Sequence, residues 1–321
     1  MHNCKVRWGL IGCGDIAGRR VAAALRSAPG SRLVAVSRRR AELAEEAARV
    51  LQARRGYASW TDLLRDGEVD AVYVATPVYL HAEMAIAAAE AGKHVLCEKP
   101  MALDVQQCDR MIEAAERSRV KLGIAYYRRF YPILARVKEL VGAGVLGEVV
   151  AARADVFEPF DPGQDHPRRW LLEKGKAGGG PMFDFGCHRL EVLLSLFGPV
   201  AEVLGVLANT ALAREVEDTA VAVMRFACGP VATVTVSHAA GEARDTFEVI
   251  GRKGCIRIPK LNGPELRLVS GGVETVEQHP PAENLHLPLV EQFVKAALRD
   301  EPPAVDGSVG REVNRLLAEI A

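Results

Sequence analysis

No apolar run in the chain approaches the roughly 18 residues that a bilayer-spanning helix needs. The start, residues 1–8, has no apolar signal-peptide core. The expectation is a cytoplasmic protein with no membrane partner. Net charge is missing as well, because 41 lysines and arginines are balanced by 41 aspartates and glutamates. No global field would draw in nucleic acid or an anionic surface, so neither is expected as a partner. The seven cysteines are odd in number and include no CxxC pair. That argues against a disulfide framework and structural zinc, and favours reduced thiols used as small apolar side chains. Repeats, low-complexity tracts and a Gly/Ser linker are absent too. What the chain does have is length: 321 residues, 49% of them hydrophobic, exceed one typical core and suffice for two.

The pattern predicts an α/β protein built from two sheets. Up to about residue 125, β-branched or apolar runs at 5–11, 32–37, 70–75, 94–98 and 121–125 alternate with helical patterns at 16–27, 39–54, 79–91 and 104–118. Such a βαβ series folds into a doubly wound parallel sheet. Beyond Gly147, strand-like runs at 148–157, 201–209, 218–226, 231–237, 245–250 and 255–259 follow one another across glycine and proline turns. They predict a second domain with a large open, mostly antiparallel sheet, interrupted by helices at 182–197 and 287–298 and closed by one at 309–320. An amphipathic helix at 130–142 falls between the two textures. The boundary is placed near Ala125, with a nucleotide-binding domain over 1–125 and a substrate-binding and oligomerisation domain over 126–321. Without a flexible linker, rigid packing around a cleft is expected.

Gly12-Cys13-Gly14-Asp15-Ile16-Ala17 follows the first strand directly and opens a helix. In that context G-x-G-x-x-A reads as a dinucleotide loop of Rossmann type. Gly12 allows the tight turn, Gly14 lets pyrophosphate approach the backbone, and free N–H groups at the helix start face the anion. An NAD-selective site usually ends its second strand in an acid that binds the ribose hydroxyl. This chain instead runs into Ser37-Arg38-Arg39-Arg40. A hydroxyl followed by guanidinium groups suits a 2′-phosphate, with Arg38 the leading contact, so NADP(H) is preferred and NAD(H) is possible. The competing reading is three solvated arginines at a helix start.

Ala75-Thr76-Pro77 ends the third main strand where doubly wound sheets bind ligands, and His81 follows at the next helix start. The next strand ends in Glu98-Lys99-Pro100, which presents an amine at the same sheet edge. With Tyr127-Arg128-Arg129-Phe130, and with Gly178-Gly179-Gly180 before Asp184-Phe185-Gly186-Cys187-His188, the order and spacing strongly resemble the Gfo/Idh/MocA oxidoreductases over nearly the whole chain. The resemblance implies an N-terminal Rossmann domain, a C-terminal α/β domain with a large open sheet, and hydride transfer between NAD(P) and a sugar, cyclitol or related polyol. It places the catalytic lysine on Lys99 and its aspartate and histidine on Asp184 and His188. The expected cofactor contacts are Gly12, Gly14, Asp15, Ile16, Ser37, Arg38, Thr76, Pro77, His81, Glu98 and Lys99.

Helical spacing is consistent with that carry-over, since Asp184 and His188 are four apart and Glu191 lies a further turn along. Taken alone, the same residues would read as a helix cap and a satisfied buried histidine. The family commonly has asparagine where Val78 stands, so a polar contact near the nicotinamide ribose is in doubt. It often has aspartate where Glu191 stands, which leaves that role open. Some relatives carry tyrosine in place of His188, so the histidine favours a sugar or inositol type of site over a diol type.

Hydride transfer at a carbinol carbon leaves a proton to be moved. His188 is assigned that proton, Lys99 the polarisation of the reacting oxygen, and Asp184 their orientation; the first two roles are exchangeable. The loop 161–170, with Asp165, His166, Arg168, Arg169 and Trp170, reads equally as a sugar-binding segment or as plain surface. Tyr127, Arg128 and Arg129 lean structural, and Cys13, Cys97 and Cys187 read as packing residues, with no metal expected. Two other classes remain: a glycosidase of the same family that uses NAD transiently, and a non-catalytic dinucleotide sensor. An exposed sheet face would need a partner, so a homodimer or homotetramer through the C-terminal sheet is expected.

Overall fold

The computed structural model describes residues 5–321. Residues 1–4, including Cys4 and half of the stretch read for a leader, lie outside the described residues. The chain divides into two units, Met1–Tyr127 with Ala282–Asn314, and Arg128–Pro281 with Arg315–Ala321. Among the described residues no helix is long and apolar enough to cross a membrane.

The first unit begins with β1, Val6–Ile11, then a π-helical turn, Ala17–Val21, that continues as α1, Ala22–Ser27. β2 (Ser31–Ser37), α2 (Ala41–Val50), β3 (Arg55–Tyr57) and the short α3 (Trp60–Leu64) follow. Next come β4 (Ala71–Val74), α4 (His81–Glu90), β5 (His94–Cys97), α5 (Val105–Arg117) and β6 (Leu122–Ile124). Every pairing is parallel and the order is β3-β2-β1-β4-β5-β6. The order reverses between β1 and β4, which is where a doubly wound sheet opens a crevice at its carboxyl edge. All four residues of β4 are buried, the continuous apolar texture of a strand covered on both faces. Asp104 caps α5 by accepting from Gln107 N at 2.7 Å.

The second unit carries α6, Pro132–Gly142, and β7, Val149–Phe157. After the short α7, Lys174–Ala177, a π-helical turn at Met182–Gly186 continues as α8, Cys187–Phe197. Seven strands follow: β8 (Val200–Ala208), β9 (Thr219–Phe226), β10 (Val231–Ser237), β11 (Arg244–Gly251), β12 (Gly254–Ile258), β13 (Glu265–Ser270) and β14 (Val273–Gln278). They form one sheet with β7, in the order β14-β13-β12-β11-β7-β10-β9-β8. Only β7 with β10 is parallel, so the sheet is mostly antiparallel, as expected. Residues alternate strictly: Ala220, Ala222, Met224 and Phe226 of β9 point into the core, while Val223 is 42% exposed. α8 packs on β10 and is buried through His188, Arg189 and Glu191 as well as its apolar residues. The buried Arg189 guanidinium is paired with Asp245 of β11.

From Ala282 the chain rejoins the first unit. α9, Leu287–Arg299, sets Phe293 against Trp8 with ring centroids 5.4 Å apart. A Cβ on Gly123 of β6 would stand 2.8 Å from the Phe293 ring, so glycine there makes room for the helix. Ile124 N donates to Val305 O at 2.9 Å, and α10, Gly307–Ile320, ends the chain. The helix expected over 287–298 as an interruption of the second sheet packs instead on the first. β13 and β14 extend the sheet beyond the strands expected from sequence. β14 is exposed at nearly every position and so carries no apolar alternation to read.

Candidate active site

In the first unit the glycine loop, the end of β2, the end of β4 and the start of α4 meet at one sheet edge. Gly12 has φ +90°, and a Cβ there would come 2.7 Å from Ala75 O and 2.9 Å from Thr76 Cγ2. Its N–H donates to Ser37 O at 3.3 Å. Gly14 has no heavy atom within 4 Å of where its Cβ would be, which leaves the backbone open to a close approach. The helical run beginning there offers N–H groups without intrahelical acceptors. This loop therefore suits a bound pyrophosphate on its own geometry.

Asp15 pairs with Arg19 at 3.1 Å on the exposed face, and Ile16 is half-buried beside it. Ser37 is buried, whereas Arg38, Arg39 and Arg40 are exposed. Arg38 N donates to Tyr57 O at 3.0 Å. Burial pushes the Cys13 thiol up to about 11, with the Arg38 charge and a backbone hydrogen bond at Ser37 only partly offsetting it. Arg38 thus acts electrostatically on the glycine loop, while Cys13 stays a neutral packing group.

His81 is buried, with Nε2 2.8 Å from Thr76 O and Nδ1 2.9 Å from Pro100 O. It ties Thr76 and Pro77, after β4, to Pro100, after β5. Glu98 is also buried, with Oε1 accepting from Tyr73 OH at 2.7 Å and facing His286 Nε2 at 3.6 Å. Burial pushes its carboxyl up, but His286, the Lys99 charge and the Tyr73 hydroxyl prevail and leave its pKa below the ordinary value. A carboxylate is therefore held next to the half-buried Lys99. The Lys99-Pro100 peptide is cis. Tyr127 stacks on His286 at 4.4 Å, which gives it a structural role.

In the second unit Asp184 stands in the π-helical turn and His188 one turn on, in α8. Between Pro181 and Leu193 every residue except Asp184 is buried. Arg168 Nη2 donates to Asp184 Oδ2 at 3.1 Å, and its guanidinium lies 4.6 Å over the Phe160 ring. That brings one residue of the 161–170 loop to the site. Arg169 instead closes its own loop on Pro162 O at 2.9 Å. Glu191 is fully buried and accepts from Arg129 Nε at 2.5 Å; burial pushes it up to about 7 against the pull of Arg129.

The Gly178-Gly179-Gly180 run has a steric cause. Gly178 has φ +87°, a Cβ on Gly179 would strike the Phe183 ring at 2.3 Å, and one on Gly180 would strike Glu217 O at 2.1 Å. The Glu217 carboxylate accepts from Gly180 N and Met182 N at 2.8 and 3.4 Å, and so anchors the turn that carries Asp184. Glu217, His238, Tyr73 and His286 were not anticipated from sequence. Each is far along the chain from the residue it supports, so no local pattern marks it. Among the described residues no group of three His, Cys, Asp or Glu stands where it could hold a metal ion.

A glycine loop at the switch point of a doubly wound sheet, joined to a second α/β unit, marks a Rossmann-type dinucleotide-binding protein. The comparisons agree. Residues 6–126 match the oxidoreductase family with NAD-binding Rossmann fold, and residues 134–257 match the GFO/IDH/MocA C-terminal domain. The chain belongs to the GFO/IDH/MocA oxidoreductase family. It is 33% identical to a 1,5-anhydro-D-fructose reductase of Ensifer adhaerens over 78% of this chain and 74% of that protein. It is 29% identical to a myo-inositol 2-dehydrogenase of Thermotoga maritima over 95% and 92% of the two. A solved levoglucosan dehydrogenase, in complex with NADH and levoglucosan, superposes with TM-score 0.89 at 26% identity, over 98% of this chain and 96% of that one.

Proposed function

We propose that the protein is a cytoplasmic NAD(P)-dependent dehydrogenase or reductase acting on the CH–OH or carbonyl group of a sugar, cyclitol or related polyol. NADP(H) is preferred and NAD(H) accepted, and Lys99, Asp184 and His188 form the catalytic group. The observation that carries this reading is Asp184, the one residue left open in an otherwise buried segment, held by a guanidinium and followed one turn later by His188. Relatives named for 1,5-anhydro-D-fructose, myo-inositol and levoglucosan support the substrate class.

Gly12, Gly14, Asp15 and Ile16 would hold the pyrophosphate, Ser37 and Arg38 the 2′-phosphate, and Thr76, Pro77, His81, Glu98 and Lys99 the nicotinamide end. The bound nicotinamide supplies or accepts the hydride. His188 takes the carbinol proton on oxidation and returns it on reduction. Lys99, beside the Glu98 carboxylate, binds and polarises the reacting oxygen. Asp184 orients the pair.

Fluorescence titration with NADPH and NADH, on the wild type and Arg38→Ala, tests the cofactor reading. Loss of a charge-assisted pair of about 1.5–3 kcal/mol should weaken NADPH about 10- to 100-fold and leave NADH nearly unchanged. Equal affinity for both cofactors, unmoved by the substitution, would refute it. Turnover is then assayed with levoglucosan and myo-inositol plus NADP⁺ or NAD⁺, and with 1,5-anhydro-D-fructose plus NADPH or NADH. Lys99→Met should cut kcat by about 10²-fold or more with cofactor affinity retained, and an undiminished kcat would remove Lys99 from the mechanism.

A homodimer or homotetramer formed through the second sheet is part of the same proposal. Leu204, Val223, Thr233, Arg153, Glu248, Arg257, Arg267 and Val276 pair in register as one row across the outer face. Its ends are apolar: Leu204 is 76% and Val276 56% exposed. Light scattering on the wild type should give a multiple of the 34.7 kDa chain mass, and Leu204→Glu should lower it.

A further inference from the structure

His238, just beyond β10, is a buried imidazole whose surroundings dictate its tautomer. The His238 backbone N–H donates to Asp218 O at 2.8 Å and its backbone carbonyl accepts from Phe160 N at 2.9 Å. The ring lies against Phe160 and Phe185, with centroids 5.1 Å away in each case. Arg214 Nη2 stands 2.9 Å from His238 Nδ1, and the same guanidinium is fixed by Phe160 O at 3.1 Å and Glu217 O at 2.8 Å. A guanidinium offers only donors, so Nδ1 must be the bare, accepting nitrogen. The neutral ring then carries its proton on Nε2, 3.9 Å from Asp184 Oδ2. At that separation the contact is electrostatic rather than a formed hydrogen bond.

We propose that His238 is a positioning residue for Asp184: Arg214 occupies Nδ1, this imposes the Nε2–H tautomer, and that N–H, facing Oδ2, orients the Asp184 carboxylate. The role of Asp184 in catalysis is taken from the function proposed above. The charged groups facing His238 are Asp184, Arg214, Arg168 and Asp218. Burial first, then Arg214 and Arg168, outweigh Asp184 and Asp218 and bring the imidazole down to about 4. At neutral pH His238 is therefore a constant neutral donor, not a proton carrier. Arg168, more exposed, pairs with the same Asp184 oxygen.

The direct test is ¹⁵N–¹H correlation spectroscopy of the imidazoles in the full chain labelled with ¹⁵N-histidine. The His238 signal is identified by its loss in His238→Gln. It should report Nε2–H with a bare Nδ1, neutral down to about pH 5. Arg214→Met should abolish the single tautomer. A wild-type Nδ1–H tautomer, or one unmoved by Arg214→Met, overturns the proposal. With whichever polyol of the panel turns over, His238→Leu should lower kcat about tenfold and raise the acidic limb of its pH profile by about one unit. His238→Gln, whose side-chain amide places an N–H near Nε2, should recover most of both, with NADPH affinity equal in all forms. Equal losses in Leu and Gln would mean packing alone and overturn the proposal. Full kcat in Asp184→Asn with the tautomer intact would instead remove Asp184 from the proposed reaction.

Discussion

Removing the Glu217 carboxylate should loosen the turn that carries Asp184, and the structure sets the size of the effect. Glu217 is 8% exposed and accepts from two backbone N–H groups, Gly180 at 2.8 Å and Met182 at 3.4 Å. In Glu217→Ala both donors lose their acceptor. An orphaned buried donor costs about 1–3 kcal/mol, with the long Met182 bond at the low end, so the loss is about 2–4 kcal/mol. For a unit of this size that lowers Tm by roughly 5–10 °C in a calorimetric scan of the full chain at pH 7. Glu217→Gln keeps one acceptor oxygen and turns an amide N–H towards the second donor, so about half the loss is expected. Tm within about 1 °C of wild type in the Ala variant would show that water replaces the carboxylate, and would refute the anchoring argument.

The same residue gives a pH dependence with a definite sign. Burial pushes its carboxyl above the ordinary 4.5, and the Gly180 and Met182 N–H groups offset this only in part. The folded chain therefore binds this proton more tightly than the unfolded one. Stability from the group falls as pH rises from 4.5 through the raised value, and Glu217→Gln should remove that slope.

The glycine loop separates fold from binding. Gly12→Ala meets both φ +90° and a Cβ 2.7 Å from Ala75 O, so it should lower Tm and weaken NADPH about 10-fold or more. Gly14→Ala has open space and should leave Tm unchanged while weakening NADPH, measured in the same fluorescence titration. Cys13, with its thiol near pKa 11, holds less than about one thiolate in a thousand at neutral pH. Mass spectrometry after iodoacetamide should find it unmodified and the exposed Cys228 alkylated; rapid labelling of Cys13 would contradict the burial argument.

Local chemistry made the first unit readable. The G-x-G-x-x-A loop, the Thr76-Pro77 and Glu98-Lys99-Pro100 strand ends, and the alternation of buried runs with helical ones all express constraints between residues close in sequence. A parallel strand covered on both faces must be apolar throughout, and a phosphate loop must lack side chains; both leave marks that need no partner to be recognised. The large mostly antiparallel sheet was legible for the same reason wherever one face was buried, and β14 escaped because nearly all of it is exposed.

Only the tertiary structure decided the rest, because it rests on pairs distant in the chain. Nothing near α9 shows that Phe293 fills the space left by Gly123, and so that residues 282–314 return to the first unit. The Gly178-Gly179-Gly180 run was visible as a motif, but its cause, Phe183 and Glu217 pressing on the missing Cβ positions, was not. Likewise Arg214, His238 and Asp184 are separated by tens of residues and brought together by the pairing of β10 with β7 and β9 and by α8 packing on β10. The residue types that can do the chemistry are written locally; which of them are charged, oriented or shielded depends on low-dielectric contacts that exist only once the sheets have formed.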